Sequence, residues 1–520
     1  MLSNSASYKD LKDGFSWDIP ERLNMAFQVC DSWAEFYPSR TALIDMTGDE
    51  RRDVSYGELQ KMADGLALYL AERVQPGERV GVLRTQSIWT AAAHIAIWKV
   101  GAISIPLFKL FAQDALQVRL GDADARLVVC DEFTAAQVQE LGFPTCVPEN
   151  ISFSEEAFAP RNTSAEDPAV LIYTSGTTGS PKGALHAHRV LTGHLPGVEI
   201  SHNLLGQQGD VLWTPADWAW IGGLFDVLMP GLALGVPVVA SRSDKFSAEH
   251  CQKVVSDAGV RNIFFPPTAL RMLKAEGVGI QGLRTIASGG EPLGPEMLEW
   301  GQTAFGLTVN EFYGQTECNM IASSASELFD AVPGCIGRPV PGHEIAVLDE
   351  DGNPTSEEGD IAVKRGSASM MLEYLNKPVE TAAKFKGSWM LTGDRGVWQG
   401  DYLRFVGRED DVITSAGYRI GPAEIEDCLL KHPSVATVGV VGKPDELRTE
   451  IVKAYVVLKP DVLGSDDLVQ ELQDLARSRV SKHSYPREIT FLNSLPMTVT
   501  GKIIRKDLKR RAMAEKEQKS

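Results

Sequence analysis

The chain predicts an α/β protein: a large N-terminal domain of two similar α/β lobes with a smaller β sub-region, then a small, mobile α+β domain at the C-terminus. Three observations predict it. From Tyr56 onward, β-branched runs alternate with helical patterns, the signature of mainly parallel sheets covered by helices. After GREDD at 407–411 the texture changes to a compact set of helices and strands. Finally, 520 residues exceed a single core at roughly 100 to 200 residues per domain.

Taken in order, Leu59, Met62, Leu66 and Leu70 follow a helical period from Tyr56. Short strands are expected at RVGVL (from Arg79), AISIPL (from Ala102) and RLVVC (from Arg126). The apolar run from Ile88 contains His94, Lys99 and Pro106, so it reads as a buried helix ending at Gly101 and then a strand, not a membrane span. The alternation returns at GVPVVAS (from Gly235), NIFFPP (from Asn262) and LRTIASGG (from Leu283). Gly and Pro there leave room for a ligand loop at a strand's carboxyl end. Beyond GREDD come a helix AEIEDCLLKH, strands VATVGVVG and EIVKAYVVLK, a helix DDLVQELQDLARSRV, a strand REITFLNSL and a basic tail. Clustered charge at the junction places the boundary at Asp410, giving domains 1–410 and 411–520.

Lys and Arg number 51 against 69 Asp and Glu, a net charge of −18 that argues against nucleic acid and anionic membrane as partners. The charge is uneven: residues 411–520 carry 18 basic and 16 acidic side chains, leaving −20 on the large domain. A near-neutral small domain with a basic end suits anionic small-molecule ligands. Seven scattered cysteines show no metal or redox spacing and read as buried thiols of a reducing compartment. With no secretory or peroxisomal signal, the expected location is the cytoplasm.

The strongest local signal is LIYTSGTTGSPKGALHAH at 171–188. An apolar strand runs into a loop where Thr174, Ser175, Gly176, Thr177, Thr178 and Gly179 offer N–H groups and hydroxyls, with Lys182 as a mobile cation. That composition cradles phosphate. It is not a Walker A loop, because no GK[ST] occurs. Glu317 in QTE offers a hard oxygen suited to Mg²⁺. By itself TGD at 392–394 would be only a turn. Asp394 is an acceptor suited to both hydroxyls of a ribose diol and Arg408 can approach the same sugar, a reading that takes its value from the family resemblance below. Lys502 stands at the head of a basic run with Arg505, Lys506, Lys509, Arg510 and Arg511, which alone would read as a solvated face. The Thr-Gly turn before it separates it from that helix. His186 and His188 lack a third metal ligand and are assigned to packing. Trp213 and Trp218 fit either a flat apolar site or core, and no GxSxG or Cys/His pair suggests covalent catalysis.

YTSGTTGSPKG resembles the signature loop of the adenylate-forming enzymes, the superfamily of acyl-CoA synthetases, firefly luciferases and peptide-synthetase adenylation domains. GGEPLG, EFYGQTEC, GRPVPG, LTGDRG, GREDDVITSAGYRIGPAEIE and PMTVTGKIIRK follow in the family's order, so the resemblance covers nearly the whole chain. It implies ATP, Mg²⁺ and coenzyme A as cofactors. It also implies an α-phosphate contact from Thr316 and a phosphate contact from Arg419. The adenine walls would be Gly290, Glu291, Pro292, Glu311, Phe312, Tyr313, Gly314 and Gln315, with a domain hinge at Asp410. Lys502 becomes the cation of the first chemical step, and Ser415, Ala416 and Gly417 the track of the pantetheine arm. Arg477, Lys482 or Arg487 could meet the CoA phosphates.

Trp220, Ile221, Gly222, Gly289 and Gly314 resemble the acyl pocket. Acetate-restricted members close it with Trp where this chain has Gly314, so a missing wall and a short- to medium-chain acid are expected. The implied activity is ATP-dependent carboxylate–CoA ligation through acyl-AMP. The alternatives are a ligase passing the acyl group to a carrier protein or amine, and a non-catalytic nucleotide-binding regulator.

Overall fold

In the computed structural model of the chain, all residues are described except 3–6, 49, 175–180, 242, 244–245, 409–410, 416–417, 446–447, 481–484, 499–500 and 518–520; for 414, 418, 419, 424, 516 and 517 only the backbone is. The β-branched runs form two mainly parallel sheets. One has seven strands, with Ala125–Cys130, Arg79–Leu83, Ile103–Pro106 and Pro168–Thr174 as parallel neighbours. The hairpin partner Lys182–Ala187 adds antiparallel beside Pro168–Thr174, and the short strand Glu373–Tyr374 forms the edge beyond it. The other has nine strands, in which Asn262–Phe264, Thr285–Gly289 and Val309–Gln315 run parallel and Cys318–Ser323 returns antiparallel.

These two sheets are the two lobes. The N-terminal strand Thr41–Met46 pairs with Val238–Ser241 and so belongs to the second sheet, far from it in sequence. The helix Tyr56–Ala71 starts from a Ser55/Glu58 capping box and buries Leu59, Leu66 and Leu70. Helix Ile88–Lys99 is buried all round and stops before Gly101, whose φ of +74° ends it. Its terminal Lys99, fully buried, is neutralised by Asp31 at 2.5 Å and by Asp64.

A third, antiparallel sheet is the smaller β sub-region, built on Gly359–Lys364, Trp389–Gln399 and Tyr402–Arg408. The chain leaves it at Arg408 and enters a fourth sheet at Ile413–Ser415. There Val435–Asp445 pairs with Thr449–Leu458, and helices Pro422–Leu430 and Asp466–Arg479 cover a separate core. The basic tail folds as helix Arg505–Glu517, where Arg505 meets Glu426 at 2.5 Å and Lys509 meets Asp411 at 3.2 Å. The Asp410 expectation lies outside the described residues. The seven cysteines are buried and free, and no described helix is long and apolar enough to cross a membrane.

Candidate active site

The site lies where three of these elements end together. Thr174 closes its strand opposite Lys182, whose carbonyl accepts from Thr174 Oγ1 at 3.4 Å. Lys182 Nζ stands 5.3 Å over the Tyr374 ring. Ser175, Gly176, Thr177, Thr178 and Gly179 lie outside the described residues.

Val309–Gln315 ends opposite Cys318, which leaves Thr316 and Glu317 as the hairpin turn. Glu317 is buried; its carboxylate accepts from the Tyr374 hydroxyl and its carbonyl from Met371 N at 2.8 Å. A carboxylate held this way fits Mg²⁺, which is usually bound through one or two carboxylates plus phosphate oxygens. Among the described residues no group of three His, Cys, Asp or Glu could hold a metal alone.

Tyr313 donates its hydroxyl to Asp394 Oδ2 at 2.5 Å, and Asp394 sits opposite Arg408 in the third sheet. Burial raises the Asp394 carboxyl, while Arg408 and the Tyr313 bond pull it back toward the charged form. Gln315 Nε2 donates to Thr392 O at 3.1 Å, and Lys384 Nζ bridges the two, at 3.0 Å from Gln315 Oε1 and 3.2 Å from Thr392 O. Desolvation lowers the Lys384 ammonium, opposed by Glu317 and Asp394.

Lys502 reaches this site from the small domain. Gly501, at φ +82°, turns the chain, and its carbonyl accepts from Thr268 Oγ1 of the large domain at 3.3 Å. Lys502 Nζ then lies 5.8 Å from the Trp220 ring centroid. Desolvation lowers its ammonium, while Glu291, Asp394 and Glu317 hold it up. Four cations, Lys182, Lys384, Arg408 and Lys502, therefore face Glu317 and Asp394, a field that can bind a polyanion and stabilise negative charge.

The structure distributes the remaining residues unevenly. Glu311 is buried behind the wall, where its carboxylate accepts from Leu293 N at 3.1 Å and burial raises it to about 8. Glu291 pairs with Arg271 at 2.8 Å. The Arg419 side chain, Ala416, Gly417 and Lys482 lie outside the described residues. Ser415 is buried, and Arg477 and Arg487 both flank Tyr485, 4.3 and 5.0 Å from its ring. His186 and His188 are fully buried, with burial lowering them to about 3 and 4. His186 lies on the strand Lys182–Ala187, with His194 of the helix Val190–Ser201 among the groups that act on it.

The acyl pocket differs most from expectation. A Cβ on Gly314 would lie 2.4 Å from Asn319 Oδ1 and 2.5 Å from Met320 N, so the absent side chain leaves no open space. The tight turn at 316–317 folds the return strand over the glycine, with Met320 at φ +53°. Gly222 and Gly290 face the Trp220 ring at 2.6 and 3.0 Å, and Gly289 faces Phe312 at 2.5 Å, measured in the same way. Aromatic side chains fill the room the glycines provide. Tyr374, Lys384, Asn319 and Arg271 carried no pattern in sequence, since their roles come from segments brought together in space.

A two-lobed α/β domain whose cations, joined by a lysine from a second domain, face two buried carboxylates defines a site suited to a polyanionic ligand. The chain belongs to the AMP-binding enzyme family, whose model matches residues 30–375, with the AMP-binding enzyme C-terminal domain at 424–502. It is thus a member of the adenylate-forming superfamily, of the AMP-forming ligase type that uses ATP, Mg²⁺ and coenzyme A. It is similar over 98% of its length to the mitochondrial acyl-coenzyme A synthetase ACSM3 of Mus musculus, at 30% identity and 94% of that protein. It is 32% identical to the acetyl-coenzyme A synthetase of Bacillus subtilis, over 94% of this chain and 90% of that one. Among solved structures, the anthranilate CoA ligase AuaEII in complex with anthranoyl-AMP matches with a TM-score of 0.87 at 25% identity, covering 96% of this chain and 99% of that one.

Proposed function

We propose that the chain joins a carboxylic acid to coenzyme A in two half-reactions. A carboxylate oxygen attacks the α-phosphorus of ATP, the bond to pyrophosphate breaks, and acyl-AMP remains. The thiol sulfur of CoA then attacks the acyl carbon with loss of its proton, the bond from that carbon to the bridging oxygen breaks, and AMP leaves carrying that oxygen. The observation that carries this reading is Lys502, seated from the small domain among the cations of the large-domain site. There it would neutralise charge gathering at the α-phosphate. Thr174 to Lys182, Thr316, Asp394, Arg408 and Arg419 would hold ATP, with Tyr313 and the 290–292 segment against the base. Glu317 would hold Mg²⁺, which supplies charge neutralisation when bound.

For the second half-reaction the small domain turns at Asp410, withdraws Lys502 and brings Ala416 and Gly417 to the adenylate. The acid is short- to medium-chain and larger than acetate, taking the room now held by the Trp220 ring. Seven free thiols support a cytoplasmic setting. The test is ATP–pyrophosphate exchange across aliphatic and aromatic acids, followed by product analysis with and without CoA. Acid-dependent exchange with acyl-CoA as product supports the reading. Exchange without thioester would instead assign a carrier protein or amine as acceptor, and no exchange with any acid would leave a nucleotide-binding regulator.

A further inference from the structure

Beside the acyl pocket the chain makes one turn of α-helix, Ile221–Gly223, and continues as a π-helix, Leu224–Leu228. Such segments are rare and occur often at functional sites. Asp226 lies on it four residues after Gly222, hence on the same face. It is 3% exposed, within the apolar core that includes Ile221, Phe264, Phe312 and Met320. Among the described residues its one hydrogen bond comes from Asn319 Nδ2 at 2.7 Å, and no cation pairs with it. Asn319 is the residue that fills the space in front of Gly314.

A carboxyl buried with one neutral donor is costly, and an apolar pair of the same shape would be neutral or better for stability. A pocket meant for a plain alkyl chain gains nothing from it. Burial pushes the Asp226 carboxyl well above its ordinary range, which favours the neutral acid, a form that can both donate and accept. The cost is repaid where a ligand brings a matching polar group.

We propose that Asp226 and Asn319 form a specificity element that reads a hydrogen-bonding substituent, hydroxyl, oxo or amino, on the acyl chain, so that the preferred acid is polar-substituted. This rests on the ligase reading above and names the class of acid that ligase takes. Sites built to hydrogen-bond a substrate group reject the analogue lacking it far more strongly than apolar pockets reject a missing methylene.

The test is acid-dependent ATP–pyrophosphate exchange without CoA, using matched probes. These are pentanoate against 4-oxopentanoate, 5-hydroxypentanoate and 5-aminopentanoate, and benzoate against hydroxy- and aminobenzoates. The best polar acid should exceed its parent by at least about tenfold in kcat/KM. In the paired variant Asp226→Leu with Asn319→Leu, that ratio should fall to about one or invert, read as the ratio between matched acids whatever the change in absolute rate. Asp226→Asn, which preserves shape, should also shift the ratio, and it serves if the double variant does not fold. Preference for the unsubstituted parents, or an equal loss on every acid in both variants, would overturn the proposal while leaving the ligase standing. Absence of exchange with all acids would overturn the ligase reading and this proposal with it.

Discussion

Asp427 sits on the small domain and touches the large one: its Oδ1 lies 2.8 Å from where a Cβ on Gly294 would stand. Burial raises its carboxyl from 3.8 to about 7; Glu426 and Glu296 add to the rise, and Arg271 and Lys431 oppose it. A carboxyl raised on closure favours the closed arrangement in its protonated form. That contribution is complete below the ordinary value near 3.8 and disappears as pH climbs through about 7. Between pH 6 and pH 8 the closed arrangement should therefore lose about 1.4 kcal/mol, roughly tenfold in population. Asp427→Asn removes the titrating group and keeps the shape. The assay is the adenylation half-reaction, which on the proposed mechanism requires Lys502 in place, measured across this range for both proteins. Glu311 and other groups titrate nearby, so the difference between the two profiles is the informative quantity. Parallel profiles would refute the assignment of Asp427 as an interface proton site.

Lys384→Met leaves the half-buried Gln315 side-chain carbonyl without its donor, at a cost of about 1 kcal/mol. The turn carrying Thr316 and Glu317 should loosen, so steady-state kinetics should show a lower kcat for adenylation with KM for the acid little changed. Gly314→Ala drives a methyl into Asn319 and the Met320 backbone, which should cost about 1–3 kcal/mol as overpacking and lower the melting temperature without admitting longer acids. Lys99→Met strands Asp31 and Asp64 in the core, and chemical denaturation should report a loss of about 3–5 kcal/mol.

What could be read in sequence was what lies on one contiguous string. The strand, the phosphate loop and Lys182 are neighbours in the chain, and the β-branched runs form strands where their spacing puts them. The pairing of Thr41–Met46 with Val238–Ser241 could not be read, because it joins distant strands whose sequences each fit either sheet. Gly314 shows the same limit at the site. Its missing side chain is visible in the sequence, but the Asn319 that fills the space depends on how tightly two strands turn. Lys384 looks like a solvated lysine in AAKFKGS, yet it bridges Gln315 and Thr392. Arg505 and Lys509 look like surface charge, yet they hold Glu426 and Asp411 beside the interdomain crossing.

The central claim is that Lys502 serves the first half-reaction and leaves for the second. Measuring both half-reactions separately in Lys502→Ala tests it most directly. Acid-dependent ATP–pyrophosphate exchange should fall by about 10²–10³, while thioester formation from supplied acyl-AMP and CoA should persist. An equal fall in both steps, or undiminished exchange, would contradict the account.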